Sequence, residues 1–190
     1  MWLPIIGRNV EITIQERSLS LRSEYEIETP GSYFFAKKAA FSFPSRINLQ
    51  SSDKRQLAKI QSRLSFFREK YDFLLSGGEI FRFQCENRWK RVFVCEDGKE
   101  RLRVYGHKGL KYSVFQNDLQ IAAFEKNRIV FGSGNRYDIR LNDDANVIVI
   151  VCIVLAICNS EDDDHDAGVS IDLGSIGPEE KPFDERWQPC

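Results

Sequence analysis

Five cysteines and two histidines are the residues of this chain that could ligate zinc or supply a nucleophile and base. Cys85, Cys95, Cys152, Cys158 and Cys190 form no C-x-x-C pair, whereas a structural zinc site needs about four Cys or His ligands in paired spacing. Two of the cysteines lie inside an apolar run, so they read as small buried hydrophobes of a reducing compartment. His107 and His165 stand in no recognisable catalytic frame, and no Gly-x-Ser-x-Gly elbow offers a nucleophile. Gly132-Ser133-Gly134-Asn135 lacks the Lys-Ser/Thr ending of a phosphate loop and reads as a hairpin turn. The run Glu161-Asp162-Asp163-Asp164-His165-Asp166 would place acid at positions 1, 3 and 5 of a calcium loop begun at Asp162. Ala167 and Leu173 stand where that loop requires Gly and Glu, so the frame fails. Enzymatic activity, cofactor and metal are therefore not expected.

Charge is the more informative signal. The formal net charge is −1, yet residues 1–142 hold 25 Lys+Arg against 16 Asp+Glu, and residues 143–190 hold 2 against 12. A basic body joined to an acidic end is a statement about partners. The densest cations are Lys37-Lys38, Arg88-Trp89-Lys90-Arg91, Arg101 with Arg103, and Lys108 with Lys111. Arg101 and Arg103 share one strand face because Leu102 and Val104 take the other. Trp89 between cations suits an interface, its ring apolar and its N–H polar. A solvated surface whose Lys and Arg guard strand edges is the plain alternative.

These side chains need a scaffold, and the sequence up to residue 142 reads as short strands between turns. Pro30-Gly31, Ser76-Gly77-Gly78, Asp97-Gly98 and Asn117-Asp118 are turn signals. Alternation such as Phe81, Phe83, Cys85 marks strands. Related segments begin at Tyr25, Arg46, Tyr71, Val92, Tyr112 and Tyr137, spaced by 21, 25, 21, 20 and 25 residues. Most are followed about ten residues later by a second apolar segment, the rhythm of repeated hairpins. With Val10–Gln15 in front, about twelve strands result. Val147 to Cys158 is then apolar on every side for 12 residues. Its β-branched content favours a strand, while its length and lack of turns favour a helix. More than eight strands leave a lumen that needs filling, so about twelve strands and an all-round apolar helix explain each other. Val147, Val151, Val154, Leu155 and Cys158 are its expected structural residues. The run falls short of the ~17–25 residues of a membrane span, and no secretory signal is expected at the start of the chain.

The residues resemble the tubby-like and phospholipid scramblase superfamily, most closely its LURP-one-related branch. The likeness rests on Tyr25-Glu26-Ile27, Phe35-Ala36-Lys37-Lys38, Leu64 through Phe73, Gly109-Leu110-Lys111-Tyr112-Ser113 with Gln120-Ile121-Ala122, and Tyr137-Asp138-Ile139 before the apolar helix. It covers residues 8–160. The resemblance implies a mostly β fold, a closed barrel of about twelve strands around a central hydrophobic helix at the C-terminal end of the domain. It also links the chain to tubby proteins, which bind phosphoinositides, and to scramblases. The LURP-one-related branch implies no established enzyme activity. Scramblases carry their acidic calcium segment near the helix and a cysteine cluster suited to acylation; here the acid follows the helix and the cysteines are dispersed.

The expected organisation is a barrel over residues 1–159, its helix at 144–158, and a flexible acidic tail over 160–190. Phe183 and Trp187 are apolar islands in that tail and suited to docking. The expected function is noncatalytic, peripheral binding of anionic phospholipid headgroups by a cytoplasmic protein. Lys37, Lys38, Arg88, Lys90, Arg91, Arg101, Arg103, Lys108 and Lys111 are the candidate contacts. The alternative is a protein-interaction barrel without a lipid role; a weaker one is a scramblase-like protein anchored by residues 147–158. Nucleic acid ranks last among partners, since no recognised motif accompanies the basic body.

Overall fold

Alternating apolar positions become strands that turn one face inward, and the hairpin rhythm becomes a barrel. The computed structural model describes residues 10–19, 22–39, 44–63, 70–128, 134–165 and 180–190. The strands are β1 (Val10–Leu19), β2 (Arg22–Thr29), β3 (Ser32–Lys38), β4 (Arg46–Ser51), β5 (Gln56–Ser62) and β6 (Lys70–Leu75). They continue as β7 (Ile80–Asn87), β8 (Val92–Glu96), β9 (Arg101–His107), β10 (Lys111–Gln116), β11 (Leu119–Arg128) and β12 (Asn135–Leu141). Each pairs antiparallel with its chain neighbour, and β1 closes on β12 from Val10↔Leu141 to Gln15↔Arg136. All twelve therefore form one closed barrel with no free sheet edge.

The six segment starts of the sequence repeat fall in the six even-numbered strands. Those strands all run the same way, so Tyr25, Tyr71, Tyr112 and Tyr137 gather near one end of the barrel, each buried inside it. The β10–β11 turn, Asn117-Asp118, has positive φ at both residues (48° and 66°), the backbone a two-residue hairpin requires.

Helix α1 (Val147–His165) fills the lumen. Asn146 caps it, its Oδ1 accepting the N–H groups of Ile148 at 3.1 Å and Val149 at 3.2 Å. Val149 to Ser160 are buried on every side, including Val151, Val154, Leu155 and Cys158, while Val147 is half-buried at the entrance. Enclosure in the barrel overrides the strand propensity of this β-branched run. The same enclosure corrects the membrane-anchor alternative: residues 149–158 face barrel side chains and have no surface to offer lipid. No helix among the described residues is long and apolar enough to cross a membrane.

Two helix boundaries differ from the sequence expectation of 144–158. The start is later because Ala145 N–H closes a turn on Asn142 O at 3.1 Å and Asn146 is the cap. The end is later because Asn159, at the exit, accepts from Ser45 Oγ (3.2 Å) and donates to Tyr71 Oη (3.0 Å), and the backbone continues helical to His165. Side chains of the acidic run Glu161–Asp166 and residues 129–133, which include Gly132 and Ser133 of the Gly132–Asn135 turn, lie outside the described residues, as do 64–69. The exit end also holds buried charge: Glu16 accepts from Asn135 Nδ2 at 2.6 Å, and Lys126 Nζ lies 5.6 Å from the Tyr137 ring centre. Cys95 and Cys152 are buried thiols whose pKa burial pushes up, which makes them inert.

Candidate functional site

The nine candidate cations do not form one patch. Lys37 and Lys38 lie on β3, which has five strands between it and β9 in either direction around the barrel. Lys37 points outward and pairs with Glu24 at 3.0 Å, while Lys38 sits opposite the buried Ile47, on the inward register. The other seven gather on β9, on β10 and in the β7–β8 and β9–β10 turns.

Within that group the side chains divide by what they touch. Arg101 and Arg103 point outward, as Leu102 and Val104 fill the interior, and both converge on Glu86 of β7, at 3.5 Å and 2.7 Å. The Glu86 hydrogen bond holds Arg103 above the ordinary guanidinium range. Arg91 turns back over the barrel mouth. Its φ of 51° ends the β7–β8 turn, and its guanidinium carbon lies 4.9 Å from the Tyr112 ring centre, with an N–H donated to Tyr112 Oη. Gly106 makes room for that path: a Cβ there would lie 2.8 Å from Arg91 Cβ. Asn87 Oδ1 accepts from Lys90 N–H at 3.1 Å and shapes the same turn. At its tip Trp89 stands 73% exposed, between Arg88 and Lys90. Lys108 is exposed in the next turn at the same barrel end, tied to this one through the 2.9 Å bond from Gly106 N–H to Arg91 O.

Beside this rim the usual strand alternation fails. Val92, Val94, Tyr105, His107 and Ser113 face outward in register, yet all are buried. The 180–190 segment lies against this face. Phe183 packs on His107 at 5.1 Å between ring centres and sits beneath Lys111 Nζ at 5.2 Å. Lys90 pairs with Glu180 at 3.3 Å and Lys111 with Glu185 at 2.6 Å. Lys181 reaches Asp118 at 2.9 Å and stands 4.1 Å from the Phe115 ring centre. Arg140 donates to Trp187 O at 3.3 Å, and the backbone of Cys190 pairs with Asn142 and Asp143, leaving Pro189 buried. Under the segment, His107 Nε2 and Ser113 Oγ share a 2.7 Å hydrogen bond. The sequence reading assigned no binding role to Tyr105, His107, Ser113 or Phe115. The signal was the run Val92-Phe93-Val94-Cys95, whose lack of alternation marks a strand covered on both faces.

A closed antiparallel barrel threaded by one apolar helix is the architecture to set against known proteins, and the LURP-one-related family model matches residues 10–158. The chain belongs to the LURP-one-related family. That family is part of the tubby-like superfamily, a group of noncatalytic barrel domains. No curated protein matches the chain, and no solved structure does. The matched range ends at Cys158, so in this LURP-one-related chain the 180–190 segment is an addition to the family domain.

Proposed function

We propose that this LURP-one-related barrel is a noncatalytic binding module that touches anionic phospholipid headgroups through the rim of Arg88, Trp89, Lys90 and Lys108. Trp89 carries the reading: a bulky indole is 73% exposed at the tip of a cationic turn. Such a ring belongs at a boundary where one side is apolar and the other wet. Each Lys or Arg held near an anionic leaflet contributes on the order of 1 kcal/mol, so three neighbours give measurable adhesion. The basic body of residues 1–142 and the tubby-like membership support the same reading. Attachment is peripheral, and the helix takes no part in it.

Flotation of the full chain with phosphoinositide vesicles at low salt tests this. Binding should fall with salt, be absent on neutral vesicles, and drop about five-fold or more with Trp89→Ala. Failure of both the full chain and its Glu180→Gln/Glu185→Gln variant to bind such vesicles would rule it out. A protein-interaction role is the second reading, favoured by the covered outer face of β8–β10.

A further inference from the structure

We infer that the outer face of β8–β10 is a peptide-docking groove, selective for an acidic segment with one aromatic side chain, which residues 180–190 occupy in cis. The proposal does not rest on the lipid reading. Three features of the groove carry it. Its floor is apolar and aromatic although it faces outward: Tyr105 and Phe115 meet edge-on at 5.6 Å, beside His107 and Val92. Its walls are cations, Lys90 and Lys111, which take the carboxylates of Glu180 and Glu185. Between them Phe183 lies on His107 and under Lys111, so the pattern read is Glu-x-x-Phe-x-Glu.

The way the segment is held makes it exchangeable. Its ion pairs are exposed, with Glu185 69% and Asp118 92% accessible at their side chains, and such pairs add little. It has no secondary structure of its own and lies at the end of a 14-residue stretch, residues 166–179, that follows the helix. Tethering gives it an effective concentration of about a millimolar, so weak contacts suffice to seat it. The groove also continues past Phe183 into an open cleft of about 230 Å³ that carries Glu11, Glu125 and Asp138 as well as Arg136 and Arg140, so selectivity for acid lies at Lys90 and Lys111 and not in the cleft. The resident segment does not fill that cleft. The occupant the surface fits is therefore a partner protein's extended acidic segment, placing one aromatic ring against His107 and further side chains in the cleft.

A fluorescein-labelled peptide of residues 178–190 tests this against the full chain and its Phe183→Ala/Glu185→Lys variant, which loosens the tethered copy. The variant should bind the peptide about ten-fold more tightly than the unaltered chain, which carries its own competitor. On a Phe183→Ala/Glu185→Ala background, where the tethered copy has no charge to offer position 111, Lys111→Glu should weaken peptide binding, and a peptide carrying Glu185→Lys should recover it. The variants fold as judged by a thermal midpoint near that of the unaltered chain. Absence of peptide binding by the folded Phe183→Ala/Glu185→Lys chain would overturn the groove. Equal binding with Lys111→Glu would overturn its acidic selectivity. Dimers of the unaltered chain that exchange their own 180–190 segments would replace the partner peptide with a second copy.

Discussion

Strands β3 and β4 on one side of the barrel and β8 to β10 on the other are built on the same hairpin plan, yet they meet solvent differently. On β3 and β4 the alternation is simple: Ala36, Ile47 and Leu49 are buried inside, while Phe35 and Tyr33 stay exposed outside. On β8 the first four residues are all buried, and β10 buries Tyr112, Ser113 and Val114 in succession. The interior is shared, so the difference lies wholly in what covers the outer face. Where the chain supplies a second layer, outward positions become apolar or aromatic. Where it does not, outward positions stay open to solvent, aromatic ones such as Phe35 included, and many carry ion pairs such as Lys37 with Glu24 and Arg17 with Glu26. A break in alternation on one strand group thus reports a covering segment before that segment is seen.

A change in the shared interior should abolish both sides at once. Val151 and Leu155 are fully buried in α1, and a carboxylate there has no partner among the surrounding aliphatic and aromatic side chains. Val151→Asp or Leu155→Asp should leave no folded chain in the soluble fraction. A folded Val151→Asp chain with native thermal stability would overturn the enclosed helix.

The two outer faces should then separate under matched truncations. Tyr105 is 5% exposed beneath the second layer, and Phe35 is 39% exposed on the bare side. Tyr105→Ala should cost about 2–3 kcal/mol of unfolding free energy, a discounted form of the cost of emptying an aromatic core site. Phe35→Ala should stay within about 1 kcal/mol, as surface changes do. Urea unfolding of the two variants decides it, and equal losses would remove the distinction between the faces.

The sequence shows the barrel more plainly than the site because the two are encoded differently. Strand starts recur with turn chemistry between them, so Tyr25, Arg46, Tyr71, Val92, Tyr112 and Tyr137 mark the even strands, whereas the helix start expected at 144 falls at Val147, behind the Asn146 cap. The helix end is hidden, since Asn159 and the acids after it look like a solvated tail although the backbone stays helical to His165. Cation clusters hide even more. Lys37 and Lys38 are adjacent in sequence and belong to opposite faces of one strand, and Arg91 follows Lys90 yet folds over Tyr112 at the mouth. Local spacing gives the face of Arg101 and Arg103, but not their shared partner Glu86 on β7. Phe183 and Trp187 stand out as apolar islands; their seat, built from β9, β10 and β12, is a tertiary fact.

If the second layer shields the rim, the vesicle reading and the comparison of faces are linked through Lys90 and Lys111. We expect Glu180→Gln/Glu185→Gln to tighten binding to anionic vesicles by about two- to five-fold at low salt, with little change at ~0.5 M salt. Substituting Glu24→Gln on the bare side frees Lys37 from its pair but should leave vesicle binding unchanged, because Lys37 lies across the barrel from the rim. Equal tightening by the two sets of substitutions would mean that overall charge, not the covered rim, governs adhesion.

The smallest effect should be a loosening of the covering segment in acid. Asp118 lies in the β10–β11 turn, and Lys181 holds its carboxyl below the ordinary value of 3.8, first by hydrogen bond and then by charge. A depressed carboxyl pKa means that docking favours the ionised form. Its contribution is therefore complete above pH 3.8 and is lost as pH falls through the lowered value. Asp97 is lowered as well, chiefly by the backbone N–H groups of Glu100 and Lys99, so it steadies its own hairpin and not the segment. Emission from Trp187, read in a Trp2→Phe/Trp89→Phe chain, should change as pH falls below 3.8. Asp118→Asn should remove part of that acid change, whereas Asp97→Asn should leave it intact. An acid transition identical in all three chains would assign no docking role to the Lys181 and Asp118 pair, leaving Phe183 and the Lys90 and Lys111 contacts to hold the segment.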